Sequence, residues 1–115
     1  MNENRQYMRY NEIGRVNATE LCALPGILED ISISGCRIRF PCIVSVDMDA
    51  EYKINVTLSR LVDEGPFVLL CKPRWVVDHD DITEIGMMNL YSPDEKRLKD
   101  FIEYLENLNN DLFQD

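Results

Sequence analysis

The stretch Glu29–Phe40 constrains the fold of this chain more than any other part of its sequence. Apolar and polar side chains alternate on both sides of Gly35, which predicts two half-buried strands. The phase of the alternation changes between Ile33 and Cys36, so one continuous strand would turn one of its apolar sets toward solvent. We therefore expect a tight turn or bulge near Ser34–Gly35, where glycine adopts backbone angles that other residues avoid.

Short polar side chains share the other face of this stretch. Asp30, Ser32 and Ser34 can all form hydrogen bonds, and Gly35 has no side chain to keep a ligand away from the backbone. Asp30, Ser32 and Gly35 together have the spacing DxSxxG. Taken alone, this pattern also fits an ordinary hairpin whose polar residues face water.

The net charge limits the partners that the chain can bind. With 115 residues the chain is expected to form one domain, and 12 Lys+Arg against 21 Asp+Glu give a net charge of −9. Such a charge opposes binding to duplex DNA or to an anionic membrane, so we expect no DNA partner. A small anion could still be held by nearby arginines, because exposed charges are screened beyond about 8 Å at physiological salt.

The cysteines and the N-terminus indicate the compartment. Cys22, Cys36, Cys42 and Cys71 form no CxxC pair, and three of them lie in strand-like apolar runs. This favours buried, reduced thiols over a disulfide or metal framework. The sequence shows neither a signal-peptide core nor a run of about 18 apolar residues. We therefore expect a cytoplasmic protein without membrane insertion.

Alternating runs predict a mainly β fold. The clearest is Glu51–Ser59, in which every second residue is apolar. Pro73 lies inside a later run and cannot donate to a ladder, so we expect an edge position or a bulge there. Short strands with no helix between them favour an antiparallel barrel or sandwich. The predicted strands cover about 13–22, 27–33, 35–40, 51–59, 67–77 and 83–91.

The last element is predicted to be an amphipathic helix over residues 92–110. Ser92–Glu95 reads as a capping box, with serine as N-cap and Pro93 at the first helical position. Glu95 and Lys99 form a favourable i,i+4 pair. An open end or flank of the barrel would cover the apolar stripe, although a partner helix would serve as well. The stripe consists of Leu98, Phe101, Ile102, Leu105 and Leu108.

Residues 1–12 are polar and without apolar periodicity, which predicts a flexible arm ahead of the barrel at 13–91. Arg5 and Arg9 lie four residues apart in this arm. Their guanidinium groups could clamp a phosphate or the edge of a guanine. By themselves they could equally be two solvated surface arginines.

The order of these motifs resembles the PilZ domain, a bacterial module that binds the second messenger cyclic di-GMP. Arg5 and Arg9 match the family's RxxxR, and Asp30, Ser32 and Gly35 match its [D/N]xSxxG. Arg74–Val76 is similar to a family strand that often carries tryptophan, and Ile85–Glu95 is similar to the last strand and the entry to the helix. The resemblance covers nearly the whole chain.

The resemblance implies a six-stranded antiparallel barrel with a C-terminal helix and a ligand on its outer surface. Arg5 and Arg9 would contact guanine edges and phosphates, and the arm would fold over the ligand. Asp30 would accept a hydrogen bond from a guanine N–H group, and Ser32 would form a hydrogen bond with base or phosphate. Gly35 would let the backbone approach the ligand closely. Trp75 would either stack on the ligand or pack in the barrel wall. Asn4 replaces a basic residue of many relatives, which leaves open whether one or two ligand molecules bind.

Three functions follow from these patterns. The first is a receptor without catalysis or cofactor, which relays the cyclic di-GMP level to an unidentified partner of the motility or envelope machinery. The second is a PilZ-like adaptor that works by protein contact and does not need the nucleotide. The third is a metal-dependent hydrolase using Asp78–Asp81, but adjacent residues of a turn rarely converge on one ion. The single His forms no recognisable catalytic arrangement, so we expect no enzyme and no bound metal.

Overall fold

The computed structural model describes residues 13–59 and 65–113, which form six strands and one helix. The predicted arm at 1–12, with Arg5 and Arg9, lies outside the described residues. The elements are β1 (Gly14–Asn17), β2 (Gly26–Ile31), β3 (Gly35–Phe40), β4 (Tyr52–Leu58), β5 (Phe67–His79), β6 (Ile82–Tyr91) and α1 (Glu95–Phe113).

The strands close into one antiparallel barrel in the order β1-β2-β3-β6-β5-β4. β4 pairs back to β1, with Val56 opposite Val16, so the sheet closes on itself. This confirms the predicted six-stranded barrel with a C-terminal helix. The β2–β3 loop and the start of α1 lie at one end of the barrel, which we call the helix end. The β1–β2 loop and the β3–β4 connection lie at the opposite end.

The barrel interior follows the predicted alternation most closely in β4. Its alternate residues Tyr52, Ile54, Val56 and Leu58 are buried, as the period of two requires. The observed strand β1 is much shorter than the predicted strand 13–22, because the chain turns after Asn17. The most deeply buried large side chains are Phe40, Phe67, Leu28, Ile38, Ile54, Leu69 and Ile85.

β2 contains a bulge that the sequence pattern did not predict. Leu28 pairs with Ile38, whereas Asp30 pairs with Arg37, so Glu29 is an extra residue in the ladder. The bulge changes the phase within β2, and residues of opposite parity on its two sides both face the core. The predicted strand 27–33 is therefore too long, and Ile33 is 50% exposed in the following loop.

β5 contains the bulge that was predicted as one of two alternatives at Pro73. Pro73 pairs with Met87, whereas Trp75 pairs with Gly86, so Arg74 is the extra residue. The β4–β5 ladder ends at the pair Tyr52–Cys71, so Pro73 has a paired strand only on its β6 side. Both predicted alternatives therefore hold, because the proline lies at a local edge and beside a bulge. The phase change turns Trp75 to the outer wall, where it is 41% exposed.

The β5–β6 hairpin turns more tightly than predicted. The polar segment 78–81 was expected to be the turn, but β5 continues through His79 and β6 begins at Ile82. Only Asp80 and Asp81 remain in the loop, with φ of 51° and 64°. Two central residues of positive φ define a type I′ turn, which matches the twist of the flanking strands.

The helix begins slightly later than the capping box predicts. Ser92 Oγ accepts the Asp94 N–H at 3.0 Å, and the first helical bond runs from the Leu98 N–H to the Asp94 carbonyl at 3.1 Å. The helix therefore starts at Glu95 instead of Pro93. Leu98 and Phe101 are buried in the same apolar cluster as the barrel interior. Ile102 and Leu105 pack against this cluster, so four residues of the predicted stripe contact the core, while the side chain of Leu108 lies outside the described part of the chain.

Candidate functional site

The β2–β3 loop presents the polar residues of the DxSxxG pattern at the helix end of the barrel. The Ser32 N–H donates to the Gly35 carbonyl at 2.8 Å, and the Gly35 N–H donates to Ser32 Oγ at 3.2 Å. Ser32 Oγ also lies 3.2 Å from Ser34 Oγ. Asp30, Ser32 and Ser34 are exposed. The serine therefore shapes the loop while its own side chain stays accessible.

Glycine is required at position 35 because the neighbouring strand β6 leaves no room for a side chain, and not because of unusual backbone angles. It pairs with Met88 on β6, and a Cβ at this position would stand 2.5 Å from the Met87 carbonyl oxygen. The expectation that glycine provides special backbone angles here is wrong, because its φ is not positive. Its effect is to let β3 and β6 approach closely where the loop begins.

Asn89 on β6 fixes the loop from the other side. Its Nδ2 donates to the Ser32 carbonyl at 3.0 Å and to the Ile33 carbonyl at 3.2 Å. Its backbone N–H donates to the Ser34 carbonyl at 2.8 Å. The Cys71 thiol lies 3.5 Å from Asn89 Oδ1 and donates to it, which orients the amide. One side chain therefore satisfies carbonyls that the turn would otherwise leave to water.

A row of outward residues crosses the barrel wall beside this loop. Asp30 pairs with Arg37, Arg37 with Gly86, and Gly86 with Trp75. The four residues lie on consecutive strands, so about 14 Å separates the two ends of the row. The Trp75 ring occupies the space in which a side chain of Gly86 would stand. The absence of a side chain at Gly86 thus lets the indole ring pack against the backbone of the barrel wall.

The wall next to the row carries a buried carboxylate. Glu29 Oε2 lies 3.1 Å from Arg39 Nη1, and Glu29 Oε1 lies 3.5 Å from Arg37 Nε. The Glu29 side chain is 14% exposed, and its Oε1 is buried without a hydrogen-bond partner. Burial, followed by a hydrogen bond and repulsion from Glu84, raises the pKa of Glu29 above its usual value despite the two arginines.

A cavity of about 250 Å³ adjoins the loop on the side of the helix. Ile33 and Asn89 line it together with the beginning of α1. Leu90 and Tyr91 lie at its border and are 41% and 63% exposed. The loop therefore lies between two surfaces, the outer wall with its arginines and a recess beside α1 that is lined by polar and apolar groups alike.

The structure brings together three of the six residues predicted for the site. Asp30, Ser32 and Gly35 share one loop and its flanks. Trp75 lies on the same outer wall, at the far end of the row, with one part of its ring on Gly86. Arg5 and Arg9 lie outside the described residues, so their contacts remain predictions.

Sequence reasoning missed Glu29, Arg37 and Asn89. The alternation of Arg37 and Arg39 with apolar residues indicated that they face outward. Nothing in the sequence indicated that Arg37 would lie opposite Asp30, because a bulge determines that register. A polar residue following Met87–Met88 was the only signal for Asn89.

The described residues were also compared with the requirements of a metal site and of a membrane span, and they meet neither. In 13–59 and 65–113 no group of three or more His, Cys, Asp or Glu side chains is arranged to hold a metal ion. No helix in the same part of the chain combines the length and apolar character needed to cross a membrane.

Comparison with known proteins identifies the family of this chain. Residues 3–105 match the family model of the PilZ domain. No curated protein and no solved structure matches the chain significantly. The family match covers most of the chain, and the closed six-stranded barrel agrees with it. This chain therefore belongs to the PilZ domain family, a family of cyclic di-GMP receptors.

Proposed function

We propose that this protein is a cytoplasmic bacterial receptor that binds cyclic di-GMP on the outer wall of its barrel, without catalysis and without a cofactor. Arg5, Arg9, Asp30, Ser32 and Gly35 form the site, and Trp75 borders it. The family match supports the ligand. The observation that carries the proposal is the geometry of the β2–β3 loop, which exposes the side chains of Asp30 and Ser32 at the helix end of the barrel.

The described residues suit a guanine and a phosphate in complementary ways. The Asp30 carboxylate accepts from guanine N–H groups, and the Ser32 hydroxyl donates to or accepts from base or phosphate. Arg37 lies opposite Asp30, and its side chain is partly exposed. Lys72 pairs with Met88, the residue opposite Gly35. These cations give a local anion site on a chain whose net charge is −9.

Arg5 and Arg9 supply the remaining contacts of the proposed site. Bidentate arginine contacts fit a guanine edge or a phosphate, and each good guanine contact discriminates by about 1–3 kcal/mol. Residue 13 enters the barrel beside Ser59, since the Ser59 N–H donates to the Ile13 carbonyl at 3.0 Å. The segment that carries both arginines is thus covalently attached at the helix end, the same end as the loop. Ordering of this segment on the ligand provides the signal to a protein partner of the motility or envelope machinery.

Isothermal titration calorimetry with cyclic di-GMP tests the proposal. We expect binding with a stoichiometry of one or two ligands per chain, and a change in the emission of Trp75, the one tryptophan of the chain. Neither heat nor an emission change at tens of micromolar ligand would contradict the receptor function.

The assignment of Arg9 is tested by Arg9→Ala. If Arg9 makes a bidentate guanine contact, the variant loses about 1–3 kcal/mol of binding free energy, roughly 5- to 150-fold in Kd. Lys53→Ala is the matched control, because it removes one positive charge from an exposed position on β4. Equal affinities of the two variants would remove Arg9 from the site.

An adaptor function that does not need the nucleotide is the second candidate. The observation that favours it is the recess beside α1, where Leu90 and Tyr91 are exposed. A partner captured equally with and without cyclic di-GMP, and equally by Arg5→Ala, would support the adaptor. Capture that depends on the ligand and is lost in Arg5→Ala supports the receptor.

A further inference from the structure

Two cysteines from separate loops meet at the barrel end opposite the helix. Cys22 lies in the β1–β2 loop and Cys42 lies two residues after the end of β3, and their Sγ atoms are 3.2 Å apart. Both thiols are free, and both are partly exposed. The sequence separation of 20 residues gave no indication of this contact.

The backbone on each side already holds the two thiols in place. The N–H groups of Leu21 and Cys22 both donate to the Ala18 carbonyl, at 2.8 and 2.9 Å. Cys42 follows Pro41, whose ring fixes φ, and the nearby Val44 N–H donates to Thr83 Oγ1 at 2.9 Å. A disulfide bond is about 2.05 Å long, so the two sulfur atoms, now 3.2 Å apart, need to approach by only about 1 Å to form one.

The other two cysteines provide an internal comparison. Cys36 and Cys71 are 6% and 0% exposed, inside β3 and β5. Contact with Cys71, together with burial, raises the pKa of the Cys36 thiol well above its usual value. A thiol without access to solvent and without thiolate character reacts slowly. The chain thus contains one accessible pair and one enclosed pair.

We propose that Cys22 and Cys42 are a redox modification site that forms a reversible disulfide when the protein meets a small-molecule disulfide such as oxidised glutathione. The thiolate of one cysteine attacks a glutathione sulfur and releases one reduced glutathione. The second cysteine then attacks the protein sulfur of this mixed disulfide and releases the other. The two protein thiols lose two electrons and their protons, and oxidised glutathione gains them as two thiols.

The cross-link would join the β1–β2 loop to the segment after β3, closing a loop of about 20 residues. It lies at the end of the barrel away from the β2–β3 loop, so the proposal is independent of the ligand site. Contact with Cys22, together with burial, raises the pKa of the Cys42 thiol. Oxidation is therefore faster at about pH 8.5 than at neutral pH, because more thiolate is present.

Peptide mapping of the full chain tests the proposal. The reduced protein is incubated with oxidised glutathione, its remaining thiols are alkylated, and it is digested with trypsin and a glutamate-specific protease. This digest places the four cysteines in separate peptides, 21–29, 30–37, 40–51 and 65–74. We expect peptides 21–29 and 40–51 to be cross-linked, with a mass about 2 Da below their sum, and to separate on reduction.

Other products would overturn the proposal. One such product is a disulfide that includes Cys36 or Cys71. Another is glutathione retained on Cys22 or Cys42 without a disulfide between these two residues. The third is complete alkylation of Cys22 and Cys42. Cross-linking between two chains, seen as a dimer on a non-reducing gel, would also overturn it.

Thermal unfolding supplies a second measurement with matched variants. The oxidised protein is expected to unfold at a temperature about 5–15 °C above that of the reduced protein. Cys22→Ser and Cys42→Ser should each unfold at the same temperature with and without oxidised glutathione. A similar shift in either variant would assign the effect to another group and contradict the proposal.

Discussion

At the scale of single residues, the candidate site depends on groups that fix the loop as much as on groups that would touch a ligand. Asn89 bonds to two carbonyls of the loop and is oriented by Cys71 from the barrel interior. Ser32 closes the turn with its side chain and its backbone. The accessible position of Asp30 and Ser32 thus rests on a residue from a distant part of the sequence.

Asn89→Asp tests this dependence. The change removes both Nδ2 donors and places a carboxylate against the carbonyls of Ser32 and Ile33, so we expect a loss of about 1–3 kcal/mol in the free energy of unfolding. Urea denaturation measures it, and cyclic di-GMP binding should weaken in parallel. Asn55→Asp on β4 makes the same change in charge away from the loop and should cost about 0.5 kcal/mol or less. Equal stability of the two variants would contradict the role of Asn89.

Glu29 gives the barrel wall a dependence on pH that can be measured. Because its pKa is raised in the folded state, the folded protein binds the proton more tightly than the unfolded chain does. Stability from this group is fully present below the unfolded pKa and is lost as pH rises through the folded pKa. Compared with Glu29→Gln, the wild type should therefore lose free energy of unfolding over the pH range that begins at 4.5, the ordinary pKa of this carboxyl group, and extends upward.

Denaturant unfolding of both proteins across this range measures the difference. Other carboxyl groups titrate in both proteins, so their contributions largely cancel in the comparison. If the wild type instead becomes more stable than Glu29→Gln as the pH rises, the pKa of Glu29 is lowered in the folded state. The two arginines would then outweigh burial and the repulsion from Glu84.

At the scale of strands and turns, the sequence predicted which elements exist better than how they pair. Alternation located every strand of the barrel, and proline located the bulge in β5. The bulge at Glu29 was not predictable from the sequence. An extra residue in a ladder is defined by how the strand pairs with its neighbour, and the local amino-acid sequence carries no distinct signal for it. The same limit applies to the site: the DxSxxG spacing indicated Asp30, Ser32 and Gly35, whereas Arg37 and Asn89 join them only through register.

The β5–β6 hairpin uses aspartate where the turn type favours glycine. Asp81 has φ of 64°, a conformation that disfavours side chains with a Cβ. We expect Asp81→Gly to raise the free energy of unfolding by about 0.5–1 kcal/mol, measured by denaturant unfolding. Asp81→Ala removes the same charge but keeps a Cβ, and it should not stabilise the protein. Stabilisation of equal size in both variants would assign the effect to charge.

At the scale of the whole molecule, the helix and the barrel form one core. Leu98 and Phe101 of α1 belong to the apolar cluster that fills the barrel. The Arg97 guanidinium donates to the carbonyls of Gly65 and Pro66, at 2.7 and 3.0 Å, and lies 5.7 Å from the centre of the Phe67 ring. The Asp94 carboxylate accepts the Val68 N–H at 3.0 Å. These contacts join the start of the helix to the start of β5.

Leu98→Ala tests whether the helix and the barrel unfold together. Leu98 is 4% exposed, and truncating a leucine at such a position costs about 2–5 kcal/mol. Because the cavity opens in a shared core, the emission of Trp75 on the wall and the circular dichroism of the helix should shift to lower denaturant by the same amount. Lys99→Ala is the control, since it removes only the exposed pair with Glu95 at 3.3 Å, worth about 0.5 kcal/mol or less. A helix signal that is lost before the tryptophan signal would mean that α1 is a separate unit docked on a self-sufficient barrel.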